Sequence, residues 1–359
     1  LRNTIINYFP ELSDHERVDA HKEVIDSLSK LEELIPGKYS EYNLTHIIMP
    51  KAYGYHTLLD ISFSQYIRIK KSINILSQNE YLSGLIAYKF LQMKRIDKAV
   101  KDHKDEIPII LSEKETNIES NLDGRSYNLF SANAQTYLRV MILYMNHSQY
   151  NNHLLVVPKY LKNVEILQMV KNAQLLFFED YITEEIIQIY QKAKKDFHTF
   201  FNNNKNKLKE ILFLDSRDFF KIIDTGLENV FKYLIPQALL FYLTYEEIYS
   251  KIKVKNVIGA RVRKIYDRAL YESASSHNIN RYALLHSNIG VNWLNKMGHF
   301  NNLTGVFTWG NLQKKLIEND SFSNVKNIYV TGSPLFDKPH FNKNNIRKHN
   351  KCILYDATH

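Results

Sequence analysis

The chain has 359 residues and a mass of 42.4 kDa, which allows a large hydrophobic core and makes two domains a reasonable expectation. Its hydrophobic fraction of 44% and charged fraction of 24% are typical of globular proteins, and no run of about 18 apolar residues predicts a transmembrane helix. The single cysteine, Cys352, excludes both a disulfide within the chain and a thiolate cluster for a metal ion. These features favour a reducing, cytoplasmic setting.

The formal net charge is +9, and three interpretations compete for it. The commonest is a solvated basic surface without a role. The second is adhesion to an anionic membrane face, and the third is binding of a polyanion or nucleotide. The lysines are scattered along predicted helices and no RNA- or DNA-binding module is recognisable, so we expect no nucleic-acid partner.

The first third of the chain predicts helices interrupted by short strands and loops. The pattern indicates helices over 1–40, 61–76 and 81–100, buried strands over 45–50 and 107–111, and a polar loop over 117–131. The loop after the strand at 45–50 carries Tyr53 and His56.

The middle third continues this alternation. It predicts helices over 136–145, 183–208 and 228–252, strands over 153–157 and 173–180, and a buried apolar run over 211–214. We expect Thr183 to cap its helix and Pro236 to kink the last one. Glu179 and Asp180 end the second strand; they are candidates for a base or metal ligands, but a solvated helix start is the preferred interpretation.

The last hundred residues contain the clearest pattern. Three apolar runs, over 254–258, 281–285 and 328–330, each end in a small polar cluster, and helical segments lie between them. We expect the helix after the first run to start near Arg261 and Asn311 to cap the helix over 312–318. Short apolar runs without alternation need cover on both faces, so they predict adjacent parallel strands of one sheet with helices on both sides. Ligands of such sheets bind at the carboxyl ends of the strands, where the polar clusters lie.

The motifs of this region resemble those of bacterial surface-glycan enzymes. Leu285-His286-Ser287, Thr308-Trp309-Gly310, Thr331-Gly332-Ser333-Pro334-Leu335-Phe336-Asp337 and Ile353-Leu354-Tyr355-Asp356-Ala357-Thr358 follow one another in the order seen in those families. The chain is similar there to the CDP-glycerol glycerophosphotransferase group and to capsule or lipopolysaccharide glycosyltransferases of the GT-B fold. Ser287 stands where these families have glycine, Leu285 where they have glutamine or tryptophan, and Asp356-Ala357 where they have Ala-Pro.

This resemblance implies an α/β, GT-B-like fold with a parallel sheet flanked by helices and a helix-rich N-terminal part. Residues 1–337 would form a Rossmann-like, acceptor-side domain with helical insertions. Residues 338–350 would be a linker, and 351–359 would begin a second, donor-side domain that lies mostly beyond the chain.

The resemblance also implies a reaction and a set of site residues. The expected activity is metal-independent transfer of a sugar or polyol phosphate from a nucleotide-activated donor to a surface polysaccharide, with no cofactor. The expected general base is His286, and the expected phosphate-binding residues are Gly332, Ser333 and Arg261. The expected acceptor-binding residues are Tyr53, His56, Ser287, Asn288 and Trp309.

Two other functions stay open on the sequence alone. One is a sugar-nucleotide epimerase on the same fold, although the paired carboxylates and histidine of such enzymes are not found in order. The other is a non-catalytic polyanion- or membrane-binding protein. The partners expected for the transferase are a nucleotide-sugar donor, a glycan or lipid-linked glycan acceptor and an anionic membrane surface, and its location would be peripheral to the inner face of the cell membrane.

Overall fold

The computed structural model describes residues 30–47 except 32 and 46, and residues 124–332 except 215–216, 219, 261–263, 286–299, 301 and 320–323. Its centre is one parallel sheet of seven strands. The strands are β1 (Tyr127–Ser131), β2 (His153–Val157), β3 (Ala173–Phe177), β4 (Val254–Gly259), β5 (Asn280–Leu284), β6 (Gly305–Thr308) and β7 (Asn327–Val330).

The strand order in the sheet is β3-β2-β1-β4-β5-β6-β7, and every neighbouring pair is parallel. The chain winds outward from β1 to β3 and then restarts on the other side of β1 with β4. This reversal is that of a Rossmann-like sheet, and it creates a switch point between β1 and β4, where ligands of such folds bind. The parallel strands expected over 254–258, 281–285 and 328–330 are confirmed as members of one sheet. The expected adjacency of the last two is wrong, because β6 lies between them.

Seven α-helices connect and cover the strands among the described residues between 124 and 332. They are α1 (Gln135–His147), α2 (Glu184–Asn203), α3 (Lys205–Ile211), α4 (Phe220–Asn229), α5 (Ile235–Lys251), α6 (Ile265–Ser276) and α7 (Asn311–Glu318). None of the helices in these described ranges is long and apolar enough to cross a membrane.

Each face of the sheet has its own hydrophobic core. Alternate strand residues such as Leu129 and Val257 pack with α2, α5 and α6 in the larger core. The intervening residues, such as Phe130 and Ile258, pack with α1 in the smaller one. The helices therefore cover both faces, which is why the strands read as continuous apolar runs.

In the middle of the chain, a capping threonine marks the start of α2 and a proline marks the start of α5. The Thr183 hydroxyl accepts a hydrogen bond from the Ile186 backbone N–H at 3.3 Å, so the predicted cap of α2 is confirmed. A π-helical segment, Val230–Leu234, separates α4 from α5 directly before Pro236. Proline cannot donate an amide hydrogen bond, and the backbone widens at this point instead of continuing one α-helix.

The predicted loop over 117–131 is wrong at its end, because Tyr127–Ser131 is the central strand β1. Its five residues contain two polar side chains, Asn128 and Ser131, which made the segment look solvated. Ser131 is buried and Asn128 is half-buried, and both are hydrogen-bonded to other side chains. β1 lies inside the sheet, because β2 and β4 pair with it on its two sides and satisfy its backbone hydrogen-bonding groups.

Three smaller expectations from the sequence also differ from the structure. The strand expected over 45–50 is wrong at Thr45 and Ile47, which are helical, because the Asn43 side chain accepts the Thr45 N–H and starts a turn. Phe213 of the run expected to be buried is 56% exposed, since it belongs to a two-residue antiparallel ladder. The helix expected near Arg261 begins at Ile265.

A row of polar side chains crosses four strands of the sheet. Asn280 donates from Nδ2 to Asn256 Oδ1 at 3.0 Å, and Asn256 donates to Asn128 Oδ1 at 2.7 Å. Asn128 Nδ2 then lies 3.4 Å from His153 Nδ1. We call these four residues the amide ladder. Each of its members faces the next in register, so the ladder specifies how β5, β4, β1 and β2 are aligned.

Candidate functional site

The structure describes two of the sequence-predicted site residues, Trp309 and Gly332. The others lie outside the described residues: His286, Ser287, Asn288, Ser333, Arg261, Tyr53 and His56. The described residues nevertheless show which strand ends come directly before two of them. Arg261 follows Ala260 at the end of β4, and His286 follows Leu285 at the end of β5.

Trp309 joins the ends of β5 and β6. Its indole N–H donates to the carbonyl of Leu285 at 2.7 Å, while its backbone N–H donates to Gln313 Oε1, also at 2.7 Å. The expected cap at Asn311 is wrong, because the helix already includes Asn311 and the Gln313 side chain reaches back to the turn instead. Trp309 is thus held against the residue before His286.

Gly332 lies just beyond β7 at the same edge. Its φ of +75° is in the left-handed region that glycine adopts without strain, and a Cβ added there would meet nothing within 4 Å. The backbone N–H of Thr331 donates to the Thr308 carbonyl at 2.9 Å, which keeps the end of β7 beside the end of β6. The structure therefore brings Trp309 and Gly332 to neighbouring strand ends.

A second polar group occupies the carboxyl ends of β2 and β3. Lys159 Nζ lies 2.8 Å from Asp180 Oδ1, and both side chains are only 5% exposed. The backbone N–H of Lys159 donates to Glu179 Oε2 at 2.8 Å, and Glu179 is fully buried. We call Lys159, Glu179 and Asp180 the lysine–carboxylate cluster.

Short 3₁₀ turns position this cluster. Pro158 ends β2, and the turn Lys159–Leu161 directs the lysine toward β3. The turn Phe178–Tyr181 follows β3 at once and carries both carboxylates back over the strand end. The solvated helix start expected for Glu179 and Asp180 is wrong, because this turn folds them inward against Lys159.

Three hydroxyl groups meet at the end of β1, next to the switch point. Ser131 Oγ donates to the Tyr266 hydroxyl at 3.2 Å and lies 2.8 Å from the Tyr245 hydroxyl, which is left to donate to it. Burial raises the pKa of Tyr266 far above its usual value; the bonds to Ser131 and Tyr245 offset part of the rise, and the charge of Glu179 adds to it. Burial likewise raises the pKa of Tyr245, with a further contribution from Tyr266.

These pKa shifts keep both phenols protonated at neutral pH, so they act as hydrogen-bond donors and not as bases. The influence of Glu179 on Tyr266 shows that the hydroxyl group and the lysine–carboxylate cluster share one electrostatic environment. In the ranges that the structure describes, no group of three histidine, cysteine or acidic residues has the geometry of a metal site. The carboxyl edge of the sheet therefore contains one ammonium group, two carboxylates and neutral hydroxyl groups.

Sequence reasoning missed Lys159 and Ser131. Lys159 follows the strand-ending Pro158 and could have been paired with Glu179 and Asp180, since β2 and β3 are consecutive short strands and their ends must meet. Ser131 was hidden because its strand was assigned to a loop. The signal for it is the helix that starts four residues later, at Gln135, as expected after a buried strand.

Comparison with known proteins adds no relative. No family model, no curated protein sequence and no solved structure matches the chain.

Proposed function

We propose that this protein is a GT-B-type glycosyltransferase that transfers a sugar or polyol phosphate from a nucleotide-activated donor to a bacterial surface polysaccharide. The observation that carries the proposal is the hydrogen bond from the Trp309 indole to Leu285. It joins the ends of two neighbouring parallel strands, and the motif residues His286 and Gly310 follow directly. Three of the four motifs that resemble those of the transferases, at Leu285, Trp309 and Gly332, therefore begin at one edge of one sheet.

In this proposal His286 is the general base that takes a proton from the acceptor hydroxyl. Arg261, Gly332 and Ser333 bind the donor phosphates, for which a positive-φ glycine offers backbone N–H groups. Arg261 is attached at the end of β4, the strand between β1 and β5, so its loop starts at the same edge. Tyr53, His56, Ser287, Asn288 and Trp309 contact the acceptor.

No metal is needed for this chemistry, because basic side chains and helix N-termini can stabilise the leaving phosphate. The net charge of +9 supports an accompanying proposal, peripheral attachment to an anionic membrane, where a lipid-linked acceptor would be presented.

The test is turnover by the full-length gene product with CDP-, CMP- and UDP-linked donors, followed as nucleotide release in the presence and absence of a glycan acceptor. The proposal expects acceptor-dependent release from one donor class. Interconversion of the donor sugar without transfer would identify an epimerase, and absence of turnover with every donor would favour a non-catalytic binding protein.

A further inference from the structure

The last strand of the sheet, β7, has an outer edge that no other strand covers within the part of the chain that the structure describes. It pairs with β6 on one side, and no strand of the described residues pairs with it on the other. Three of its four residues are exposed, among them Tyr329 at 42% and Val330 at 45%. An exposed strand edge is a template for another strand.

The direction of the backbone groups on this edge follows from one hydrogen bond. The Thr331 N–H donates to the Thr308 carbonyl on β6. Backbone groups alternate in direction along a parallel strand, so those of Tyr329 also face β6. The N–H and C=O groups of Ile328 and Val330 consequently point outward, away from the sheet.

Apolar side chains are concentrated beside this edge. Seven large hydrophobic side chains are strongly exposed in the described part of the chain, and three of them, Leu312, Tyr329 and Val330, belong to β7 or to the neighbouring α7. A cavity of about 430 Å³ lies between the two elements; apolar side chains such as Ile317 and Ile328 and charged ones such as Lys314 and Glu318 line it. Exposed apolar groups clustered in this way mark a protein interface better than single ones do.

We propose that β7 pairs antiparallel with β7 of a second copy of this chain, so that two seven-stranded sheets become one across a two-fold axis. In the register that we infer, Tyr329 lies on the axis opposite the partner's Tyr329. Val330 then lies opposite the partner's Ile328, and their outward backbone groups exchange hydrogen bonds.

A second copy fits this edge for two reasons. The register places Lys326 opposite the partner's Gly332, so no like charges face each other across the axis. Tyr329 also ends a row of rings in which Tyr282 and Phe307 are 5.4 Å apart and Phe307 and Tyr329 are 5.5 Å apart. Pairing at the axis continues this row into the partner, and such self-complementary contacts are the commonest in homodimers.

A cysteine cross-link tests the register. In a Cys352→Ser background, which removes the only native cysteine, we expect Tyr329→Cys to form a disulfide-linked dimer under mild oxidation. Residues opposite each other in a non-hydrogen-bonded pair have Cβ atoms about 4.5–5.5 Å apart, close to disulfide geometry. Tyr150→Cys is the matched control, because Tyr150 is 71% exposed but lies outside β7 and α7, so this variant should form no disulfide-linked dimer.

Sedimentation of the unlabelled protein tests the pairing itself. Val330→Pro removes an outward N–H but is compatible with an edge strand, whereas Val330→Thr keeps the N–H and the β-branched shape. We expect the proline variant to raise the dimer Kd by about 4- to 100-fold, because two symmetric hydrogen bonds are lost and each is worth roughly a factor of 2–10. The threonine variant should dimerise like the wild type.

A wild-type protein that stays monomeric at several hundred micromolar concentration, or a dimer that Val330→Pro leaves unchanged, would overturn the proposal. Circular dichroism of each variant checks that its fold is intact. The dimer does not depend on transferase activity, so a result that contradicts one proposal does not contradict the other.

Discussion

Lys159 and Asp180 form a buried ion pair, with 2.8 Å between Nζ and Oδ1, that ties the end of β2 to the end of β3. Glu179 accepts the backbone N–H of the same lysine, so a single residue connects two carboxylates. Buried charges of this kind are costly unless each has a partner. The pair thus makes the carboxyl edge of the sheet sensitive to the loss of one side chain.

Lys159→Met should destabilise the protein by about 3–5 kcal/mol, because it leaves the buried Asp180 carboxylate without its cation. Chemical denaturation measures the change in the free energy of unfolding. The double variant Lys159→Met/Asp180→Leu should recover part of the loss. The control is Lys314→Met, which removes an exposed pair with Glu318 and should change stability by less than about 1 kcal/mol. Equal effects of the two lysine substitutions would contradict this account.

The amide ladder predicts a second set of stability changes. Asn256→Leu leaves the Asn128 carbonyl oxygen without its donor and the Asn280 amide without its acceptor, so we expect a loss of about 2–4 kcal/mol. Asn280→Leu, at the end of the ladder, orphans only the Asn256 carbonyl oxygen and should cost roughly half as much. Urea denaturation of both variants compares them, and an Asn256→Leu variant as stable as the wild type would show that the ladder contributes nothing.

His153 makes stability depend on pH. Burial lowers its pKa below the usual value, and no charged side chain contributes to this shift. Below about pH 6.5 the unfolded chain therefore binds a proton that the folded chain resists. The stabilisation is complete above that pH and is lost as the pH falls toward the lowered pKa of the folded state.

The measurement is the free energy of unfolding of the wild type and of His153→Gln between pH 5 and 8, a range of about three units around the reference pKa. We expect the difference between the two proteins to shrink as the pH falls, because only the wild type takes up this proton on unfolding. A difference that is constant across the range would show that His153 does not titrate as described.

Some strands could be predicted from the sequence and others could not, and the reasons are physical. Strands β4, β5 and β7 were predicted correctly because their apolar runs need cover on both faces and end in small polar residues. Strand β1 was not predicted, since the hydrogen-bond partners of its half-buried Asn128 and its buried Ser131 are distant in sequence and no local pattern reports them. The inward turn of Glu179 and Asp180 has the same origin, because Lys159, whose backbone N–H and ammonium hold them, follows a different strand.

Membrane attachment should depend on salt. With a net charge of +9, we expect the protein to float with vesicles that contain anionic phosphatidylserine at low ionic strength, and to be released as salt is raised. Screening shortens the range of the attraction from about 10 Å at 0.1 M salt to about 3 Å at 1 M. Vesicles of neutral phosphatidylcholine are the control. Flotation that is absent, or unaffected by salt, would count against a peripheral location.

The proposal that His286 is the general base of a transferase is tested most directly by the kcat of His286→Ala. The kcat of His277→Ala is measured beside it. His277 is a surface histidine that bonds to Glu246, 2.8 Å from Nε2, so it controls for loss of a histidine as such. With the donor that supports turnover, we expect His286→Ala to lower kcat by about 10²–10⁴-fold with an unchanged circular dichroism spectrum, and His277→Ala to leave kcat near the wild-type value. A folded His286→Ala protein that keeps the wild-type kcat would contradict the claim.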